Sequence, residues 1–429
     1  MCKLQNFGLV ACLWLSIVFA AALSASAQQA FAGQSLTWDE VRLRFEQNNP
    51  TLLADKLNID EARAQEITAH LRPNPDLGLL SDQIAPFNSG TQHGALAYLL
   101  PSATISYLYE RDHKRDLRLE SAKKATGIAV SSHADMERTL LFNLRSAFVS
   151  TLQAKAVLRL ANDNLTYYDR VLNVSRDRFH AGDIAQVDLD RLELQRVQYE
   201  SDVQTALVNL RTAKIQLLTL LNDRTPIEQF DVNGPFDFGD IISSLDELRK
   251  SALDTRPDLR AAIEAVDKAQ TDHRLAVANG STDPTLSFDV GRNPPIDFYF
   301  GVGVNFPLRI FDRNQGEKLR TKLDIDRNQR LLDAAQAQVF SDVDSAYATL
   351  SSNLALLHPY KEKYLQQAIR VRDTITFSYQ HGGASLLDFL SAENDYRSIQ
   401  LNYVNLVGSY LTSVSQLNLA VGQEVIQVQ

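Results

Sequence analysis

The feature of this sequence that most limits its fold is a long stretch with almost no helix breakers. Between Ser102 and Thr225 there is no proline, and Gly127 and Gly182 are the only glycines. Loops and helix ends in compact domains normally use such residues. The stretch therefore predicts very long helices, although a chain of 429 residues would ordinarily form two or three compact domains.

The charge balance of the chain bears on whether it binds nucleic acid. The formal net charge is -9, and the basic residues form no blocks along the chain. Binding to nucleic acid needs clustered Lys and Arg side chains that displace counterions from phosphates. We therefore expect no nucleic-acid partner.

The N-terminal segment has the pattern of a secretory signal peptide. Lys3 precedes an apolar run at about residues 9–23, and the small residues Ala25–Ala27 follow it. We expect cleavage after the last of these residues, which makes residues 1–27 a signal peptide and removes both cysteines. A lipoprotein signal with lipid on Cys12 is the alternative, but the apolar run continues past that residue.

The rest of the chain contains the same pattern twice, at a spacing of about 200 residues. The segment Phe179–Gly182, followed by Val187–Leu189, recurs as Tyr379–Gly382, followed by Leu387–Phe389. The order of the matching segments is the same in both halves. The shared order predicts a tandem duplication. It does not predict a solenoid, because two copies are too few for that architecture.

We predict the same elements in both repeats, joined by a linker at residues 222–244. The first repeat, 28–221, has a short helix at about 38–71, a strand pair at about 76–101, a long helix at about 108–181 and a return helix at about 186–221. The second repeat, 245–422, has a short helix at about 245–278, a strand pair at about 285–307, a long helix at about 312–381 and a return helix at about 385–421, before a tail at 423–429. Pro359 lies inside the second long helix, where we expect a kink.

Apolar residues recur every seven positions along these helices, which predicts coiled-coil packing against neighbouring helices. One such series is Leu144, Leu158, Leu165, Leu172 and Phe179. A coiled-coil rod without a pore has the same periodicity. The helices alone therefore leave both architectures open.

The two strand pairs favour a membrane barrel over a rod. In the second pair, apolar residues alternate with small or polar ones at Phe298, Phe300, Val302, Val304 and Phe306. The alternation in the first pair is weaker, and a longer loop through Pro86–Gly90 joins its two strands. After the signal peptide no run of about 18 apolar residues remains for a spanning helix. One apolar and one polar strand face suit an outer-membrane barrel, although a single hairpin of this kind also occurs packed on a helix in soluble proteins.

Four strands cannot close a barrel, because known single-chain barrels begin at about eight strands. Hydrocarbon also tolerates no open sheet edge. We therefore expect the chain to oligomerise, and three copies would supply twelve strands and twelve helical staves.

At this point the residues resemble a known family, the TolC-type outer membrane factors of Gram-negative tripartite efflux and secretion systems. The resemblance covers nearly the whole mature chain and lies in the duplication, Asn49-Pro50, Arg72–Pro75 and the two glycine turns. The stretch Phe306–Gly316 resembles the branch that serves cobalt-zinc-cadmium efflux.

The resemblance implies a mainly α fold with a small β-barrel part. Duplicated long-helix hairpins would form a trimeric α-barrel tunnel in the periplasm, and four strands per chain would contribute to a 12-strand outer-membrane barrel. Gly182 and Gly382 would lie at the periplasmic tip, where the tunnel meets an adaptor that links it to an inner-membrane RND-type pump.

The resemblance also implies a gate at the tunnel entrance. Family members often carry acidic rings just after the second glycine turn, and the matching residue here is Asp388. Asp188 and Asp190 follow the first turn and could add charge, whereas Ser391 replaces a second family acid. A solvated carboxylate in the first turn of a helix is the alternative role for Asp388.

The remaining chemistry-bearing residues give no enzyme signal. The eight histidines lack metal-ligand spacing such as HExxH, and no Walker loop or GxSxG elbow is present. His180 and His381 lie at the predicted tips, where they are candidates for adaptor contact or ordinary exposed turn residues. We therefore expect no enzyme, cofactor or bound metal.

The sequence thus predicts a passive trimeric exit channel in the outer membrane, most simply for divalent heavy-metal cations. Drug efflux and type I protein secretion remain open, because the pump largely chooses the cargo. A pore-free periplasmic coiled-coil protein is the alternative from a different class.

Overall fold

The computed structural model describes residues 35–82, 99–240, 243–293 and 295–426. Several predicted features lie outside these residues: the signal peptide at 1–27, the lipidation candidate Cys12, the loop through Pro86–Gly90 and the end of the tail at 427–429.

The described residues are mostly helical, with one small sheet, which confirms the predicted fold class. The first repeat contains α1 (Trp38–Asn48), α2 (Pro50–His70), β1 (Asp76–Asp82), β2 (Leu100–Leu108), α3 (Lys114–Ala181) and α4 (Gln186–Leu220). The second contains α5 (Leu245–Thr255), α6 (Pro257–Ala278), β3 (Thr285–Asn293), β4 (Ile296–Asn305), α7 (Gln315–Pro359), α8 (Leu365–Gln380) and α9 (Leu386–Val421). No helix in this part of the chain is both long enough and apolar enough to cross a membrane.

Each predicted short helix is two helices, so the prediction of one continuous helix was wrong. The breaks fall at Asn49 and Arg256, the residues before Pro50 and Pro257, and a residue before proline disfavours the helical conformation. At the first break the Asn49 side chain accepts a hydrogen bond from the Leu52 N–H at 2.9 Å and so caps α2.

The second strand of the first repeat lies later than predicted. β2 covers Leu100–Leu108, whereas the predicted strand pair ended near residue 101, and its residues 83–98 lie outside the described part of the chain. Pro101 lies opposite Ser81 of β1, one position before Ser102, where pairing with β3 begins. A proline is tolerated at this position because it lies at the start of the strand, where its missing N–H costs few hydrogen bonds between strands.

The first long helix also begins later than the predicted residue 108. α3 starts at Lys114, directly after Asp112 and His113. Their φ angles of 53° and 55° lie in the left-handed region, which cannot continue a right-handed helix.

The second long helix is interrupted where Pro359 predicted a distortion. α7 ends at Pro359, and a π-helical turn at Tyr360–Tyr364 leads into α8. Proline cannot donate the regular helical hydrogen bond, and a π turn absorbs an extra residue within a helix. The helical pattern therefore changes at the predicted position.

The four strands form one antiparallel sheet in the order β1-β2-β3-β4, so β2 and β3 join the two repeats. The register aligns apolar side chains on one face: Leu77, Leu79, Ile105, Leu286, Phe288, Val302 and Val304. Small and polar residues alternate with them on the other face, among them Gly78, Thr104, Ser287, Asp289, Gly301 and Gly303. The predicted division into an apolar and a polar face is confirmed.

The chain divides into two compact units, and each unit contains parts of both repeats. The described parts of the first unit fall within residues 35–53, 138–247 and 343–426, and those of the second within 54–137 and 248–342. The glycine turns belong to the first unit and the sheet to the second.

Candidate functional site at the two glycine turns

The two glycine turns have the same backbone conformation. Gly182 joins α3 to α4 with a φ of 84°, and Gly382 follows α8 with a φ of 77°, which glycine adopts without the strain of a side chain. In each turn the N–H of the residue after the glycine donates to the carbonyl of the residue four positions before the glycine. The distance is 2.9 Å in the first turn and 2.7 Å in the second. This closes both helices with the same motif.

The return helices begin differently. At the start of α9, the Ser385 hydroxyl donates to the Asp388 carboxylate at 2.7 Å, and the Asp388 N–H donates back to Ser385 Oγ at 3.2 Å. The side-chain bond from Ser385, with the bond from its backbone N–H, lowers the pKa of Asp388. Asp388 is exposed and therefore carries a full negative charge near neutral pH.

The first return helix has no such cap, because Ala185 occupies the capping position of α4. Asp190 is exposed and accepts a hydrogen bond from Gln186 Nε2 at 2.7 Å. Asp188 is half-buried in the first turn of α4. Each glycine turn is thus followed within a few residues by the predicted acidic side chains.

The helices that flank the two turns share one core, so the structure brings the candidate residues of both repeats into one region. Arg178 near the end of α3 donates to the Tyr379 carbonyl near the end of α8 at 2.8 Å. The Tyr379 ring stacks on Phe389 of α9 with centroids 5.0 Å apart, and Leu189 of α4 joins the same buried cluster.

The two candidate histidines are exposed at the turns. His381 Nδ1 donates to the Phe377 carbonyl at 2.8 Å, and its ring lies 4.1 Å from the Phe377 ring centroid. His180 lies against Phe179, with centroids 6.0 Å apart. His381 is therefore held by the last turn of its own helix.

Exposed apolar side chains surround the turns, and the sequence analysis did not single them out. Val187 and Leu387 occupy matching positions of the two repeats and are 59% and 77% exposed. Phe377 is 63% exposed. Their matching positions were the available signal, because an apolar residue that recurs on a solvent face indicates a contact surface.

The sequence analysis also missed a buried carboxylate. Glu393 of α9 is 4% exposed, and its Oε1 atom has no hydrogen-bond partner among the described residues. Burial raises the pKa of Glu393 to about 7, although Arg372 and Thr376 oppose that rise. Asp373 adds to it.

A comparison of the repeats could have found this residue. In the first repeat, Glu193 forms an ion pair with Arg176 at 2.9 Å. The residues at the matching positions of the second repeat are Glu393 and Thr376. The carboxylate is kept while its cationic partner is replaced, which predicts an unusual environment.

The described residues contain no group of three or more His, Cys, Asp or Glu side chains that could hold a metal ion. The site therefore consists of acidic side chains and exposed apolar side chains around two turns of the same backbone conformation. Such a surface can attract cations and contact another protein.

The chain is similar in sequence to several known proteins. Residues 248–423 match the family described as outer membrane efflux protein. The chain is 22% identical to the cobalt-zinc-cadmium resistance protein CzcC of Cupriavidus metallidurans over 88% of this chain and 87% of that protein. It is 22% identical to the outer membrane protein TolC of Escherichia coli over 73% of this chain and 66% of that protein.

A solved structure of CusC superposes with a TM-score of 0.75 at 18% identity, over 91% of this chain and 95% of that chain. This likeness shows that the two chains share their fold. Residues 248–423 thus match the outer membrane efflux protein family, and over most of its length the chain is similar to TolC-type outer membrane factors.

Proposed function

We propose that this protein is a passive, homotrimeric exit channel in the Gram-negative outer membrane. A periplasmic adaptor would connect it to an inner-membrane RND-type pump, which supplies the energy. The observation that carries the proposal is the four-stranded sheet, whose outer strands β1 and β4 each have one partner strand among the described residues. Open edges are not tolerated in hydrocarbon, and three copies joined edge to edge would close a barrel of twelve strands.

The cargo that best fits is a divalent heavy-metal cation. The similarity to a cobalt-zinc-cadmium resistance protein and the segment Phe306–Gly316 support this choice. A passive duct needs no metal ligands of its own, because the pump selects the cargo. Drug efflux is the second candidate, because the pump largely chooses the cargo.

Asp388 is the proposed gate residue. Its exposed, ionised carboxylate lies directly after the second glycine turn, and three copies around a symmetry axis would concentrate negative charge in a narrow entrance. Asp188 and Asp190 after the first turn would add to this field. The field favours cations over anions.

The glycine turns are the proposed adaptor contact. Gly182 and Gly382 give the two turns the same backbone conformation, and Val187 and Leu387 give each turn an exposed apolar side chain. His180 and His381 lie beside these surfaces and would contribute polar contacts.

Single-channel conductance in planar bilayers tests the gate. The Asp388→Asn variant keeps an acceptor for the Ser385 cap but loses the charge. We expect a lower cation preference and weaker block by divalent ions. Asp163→Asn, an exposed acid on α3 away from the turns, is the matched control. Equal behaviour of the Asp388→Asn variant and the control would remove Asp388 from the gate.

Growth of a deletion strain tests the cargo. We expect sensitivity to zinc, cobalt or cadmium, restored by the gene on a plasmid. Normal growth in these metals together with lost drug resistance would favour the second candidate. Absence of a heat-modifiable trimer from outer-membrane fractions would contradict the channel itself.

A further inference from the structure

The apolar stripe of β4 continues beyond the end of the sheet. β4 ends at Asn305, but every second side chain after it is still apolar and exposed: Phe306 (51%), Leu308 (80%) and Ile310 (62%). Phe311 follows and is 91% exposed. In sequence these residues continue the alternation of Phe300 and Val302 in β4, which are 71% and 84% exposed, although the backbone turns where the Ile310 N–H donates to the Leu308 carbonyl at 3.0 Å. Exposed apolar side chains therefore follow the apolar face of β4 directly beyond the end of the strand.

The backbone of this segment is fixed to the neighbouring elements. The Pro307 carbonyl accepts a hydrogen bond from the Thr282 hydroxyl at 3.2 Å. Asn314, at the other end, donates through Nδ2 to the Ala276 carbonyl at 2.7 Å. The apolar side chains are thus presented outward by a segment that is held at both ends. Exposed apolar groups in a fixed arrangement indicate a contact surface.

Basic and aromatic residues accompany the apolar side chains. Arg309 and Arg313 both lie within residues 306–313, and the Nε atom of Arg309, part of its guanidinium, is buried with no hydrogen-bond partner among the described residues. The acid between them, Asp312, already accepts the Asn314 N–H at 2.8 Å. A guanidinium donor without a partner in the protein is a group to which an anionic acceptor such as a phosphate can bind.

The second strand adds an aromatic side chain at the same end of the sheet. Leu108 of β2 pairs with Thr285, which pairs with Asn305, so the next residues, Tyr109 and Phe306, follow the same edge. Tyr109 is 57% exposed. Aromatic girdles of this kind mark the boundary between lipid and water on outer-membrane barrels.

We propose that residues 306–313, the interfacial segment, insert into the periplasm-facing leaflet of the outer membrane. Leu308, Ile310 and Phe311 would lie among the lipid chains, and Arg309 and Arg313 would bind phospholipid phosphates. The inference rests on the proposed function, since it takes the helical end of the sheet to be the periplasmic end. Continuity with the lipid-facing strand surface favours lipid over a neighbouring copy of the chain as the occupant.

Fluorescence quenching in vesicles tests the insertion. Phe311→Trp and Leu308→Trp proteins are reconstituted into vesicles of phosphatidylglycerol and brominated phosphatidylcholine, and the unsubstituted protein gives the Trp38 background. We expect the brominated lipid to reduce the new tryptophan signal at least twofold. Leu387→Trp is the matched control, because Leu387 is 77% exposed at a glycine turn and should report water.

Two results would overturn the inference. A tryptophan at position 311 with blue-shifted emission but no bromine quenching would mean that a neighbouring copy covers the segment. Quenching by aqueous acrylamide as strong as for the Leu387→Trp control would mean that the segment lies in water. The conductance of the same vesicles separates these failures from failure of the proposed function, because a conducting channel without lipid quenching rejects only the anchor.

Native mass spectrometry tests the two arginines. The double variant Arg309→Gln and Arg313→Gln should retain at least threefold fewer phosphatidylglycerol molecules than the unsubstituted protein. The control pair, Arg327→Gln and Arg330→Gln, removes equal charge from exposed positions of α7. An equal loss of lipid in both double variants would reject phosphate binding by the segment.

Discussion

The two glycine turns have the same backbone but place the same side chain in different surroundings. Glu193 lies near the surface and pairs with Arg176 at 2.9 Å, whereas Glu393, at the matching position, is 4% exposed. Replacement of the arginine by Thr376 is the sequence difference that accompanies this change. The two repeats therefore share the turn, but the glutamate that is exposed in the first repeat is buried in the second.

The nearest cation, Arg372, offsets the cost of burying the Glu393 carboxylate only in part. Arg372 donates to Asp373 at 2.7 Å, and its guanidinium lies 4.5 Å from the ring of Tyr167 and 4.0 Å from that of Tyr396. Its charge is thus shared with an acid and two aromatic faces. This explains why burial dominates and the pKa of Glu393 rises to about 7.

The largest expected effect comes from the core beside each turn. Phe389 is fully buried and stacks on Tyr379, and its counterpart Leu189 is 7% exposed. We expect Phe389→Ala to reduce the free energy of local opening by about 4 kcal/mol, and Leu189→Ala by less. Hydrogen exchange at the starts of α9 and α4 measures both. Equal losses would mean that the two turns depend on one undivided core.

The next effect is pH-dependent and distinguishes the two glutamates. The pKa of Glu393 is raised from 4.5 to about 7, so the folded state loses stability as pH rises through this interval and the loss is complete above it. Glu393→Gln should therefore stabilise the tip at pH 8 by about 3 kcal/mol and leave it unchanged at pH 4.

Hydrogen exchange, corrected for its intrinsic pH dependence, measures this stabilisation. Glu193→Gln is the matched control and should show no comparable gain at pH 8, because Glu193 is exposed and paired. A gain of similar size at both positions, or none at Glu393, would contradict the difference between the repeats.

A smaller effect should be the same in both turns. Gly182→Ala and Gly382→Ala meet open space but force a side chain into the left-handed region, which costs about 1–2 kcal/mol. Gly316→Ala also meets open space, has no such φ angle and should cost nothing. Local exchange at each turn is the measurement. A difference between the two turns would show that their backbones are not equivalent.

The smallest effect concerns the exposed ion pair of the first repeat. Arg176→Gln should weaken the first turn by about 0.5 kcal/mol, and the loss should shrink as salt is added. The Arg176 and Glu193 side chains are 44% and 47% exposed, so water already screens the pair. A loss comparable to that from Phe389→Ala would mean that the pair is part of the core.

Much of the fold followed from local pattern. The alternation at Phe298–Phe306 predicted β4 and its apolar face, and Pro359 predicted the distortion of the second long helix. The local pattern failed at Pro101, because tolerance of a proline depends on where the neighbouring strand begins to pair. It also missed the break at Asn49, which precedes Pro50 and accepts the hydrogen bond that caps the start of α2.

The candidate site likewise has residues that the sequence predicted and one property that it did not. Its glycines, acids and histidines could be named from the repeat and the family resemblance, since they are properties of positions along the chain. The burial of Glu393 could not, because it results from packing against Tyr167 and Thr376, which are far apart in sequence.

By itself the sequence determined the long helices, the turn positions and the two-faced strands, since breakers and periodicity act over a few neighbouring residues. The tertiary structure alone decided that β2 pairs with β3, that Arg178 bonds to Tyr379 and that Glu393 loses its contact with water. These outcomes join residues of different repeats or remove them from solvent. They depend on how distant segments pack, which no local pattern specifies.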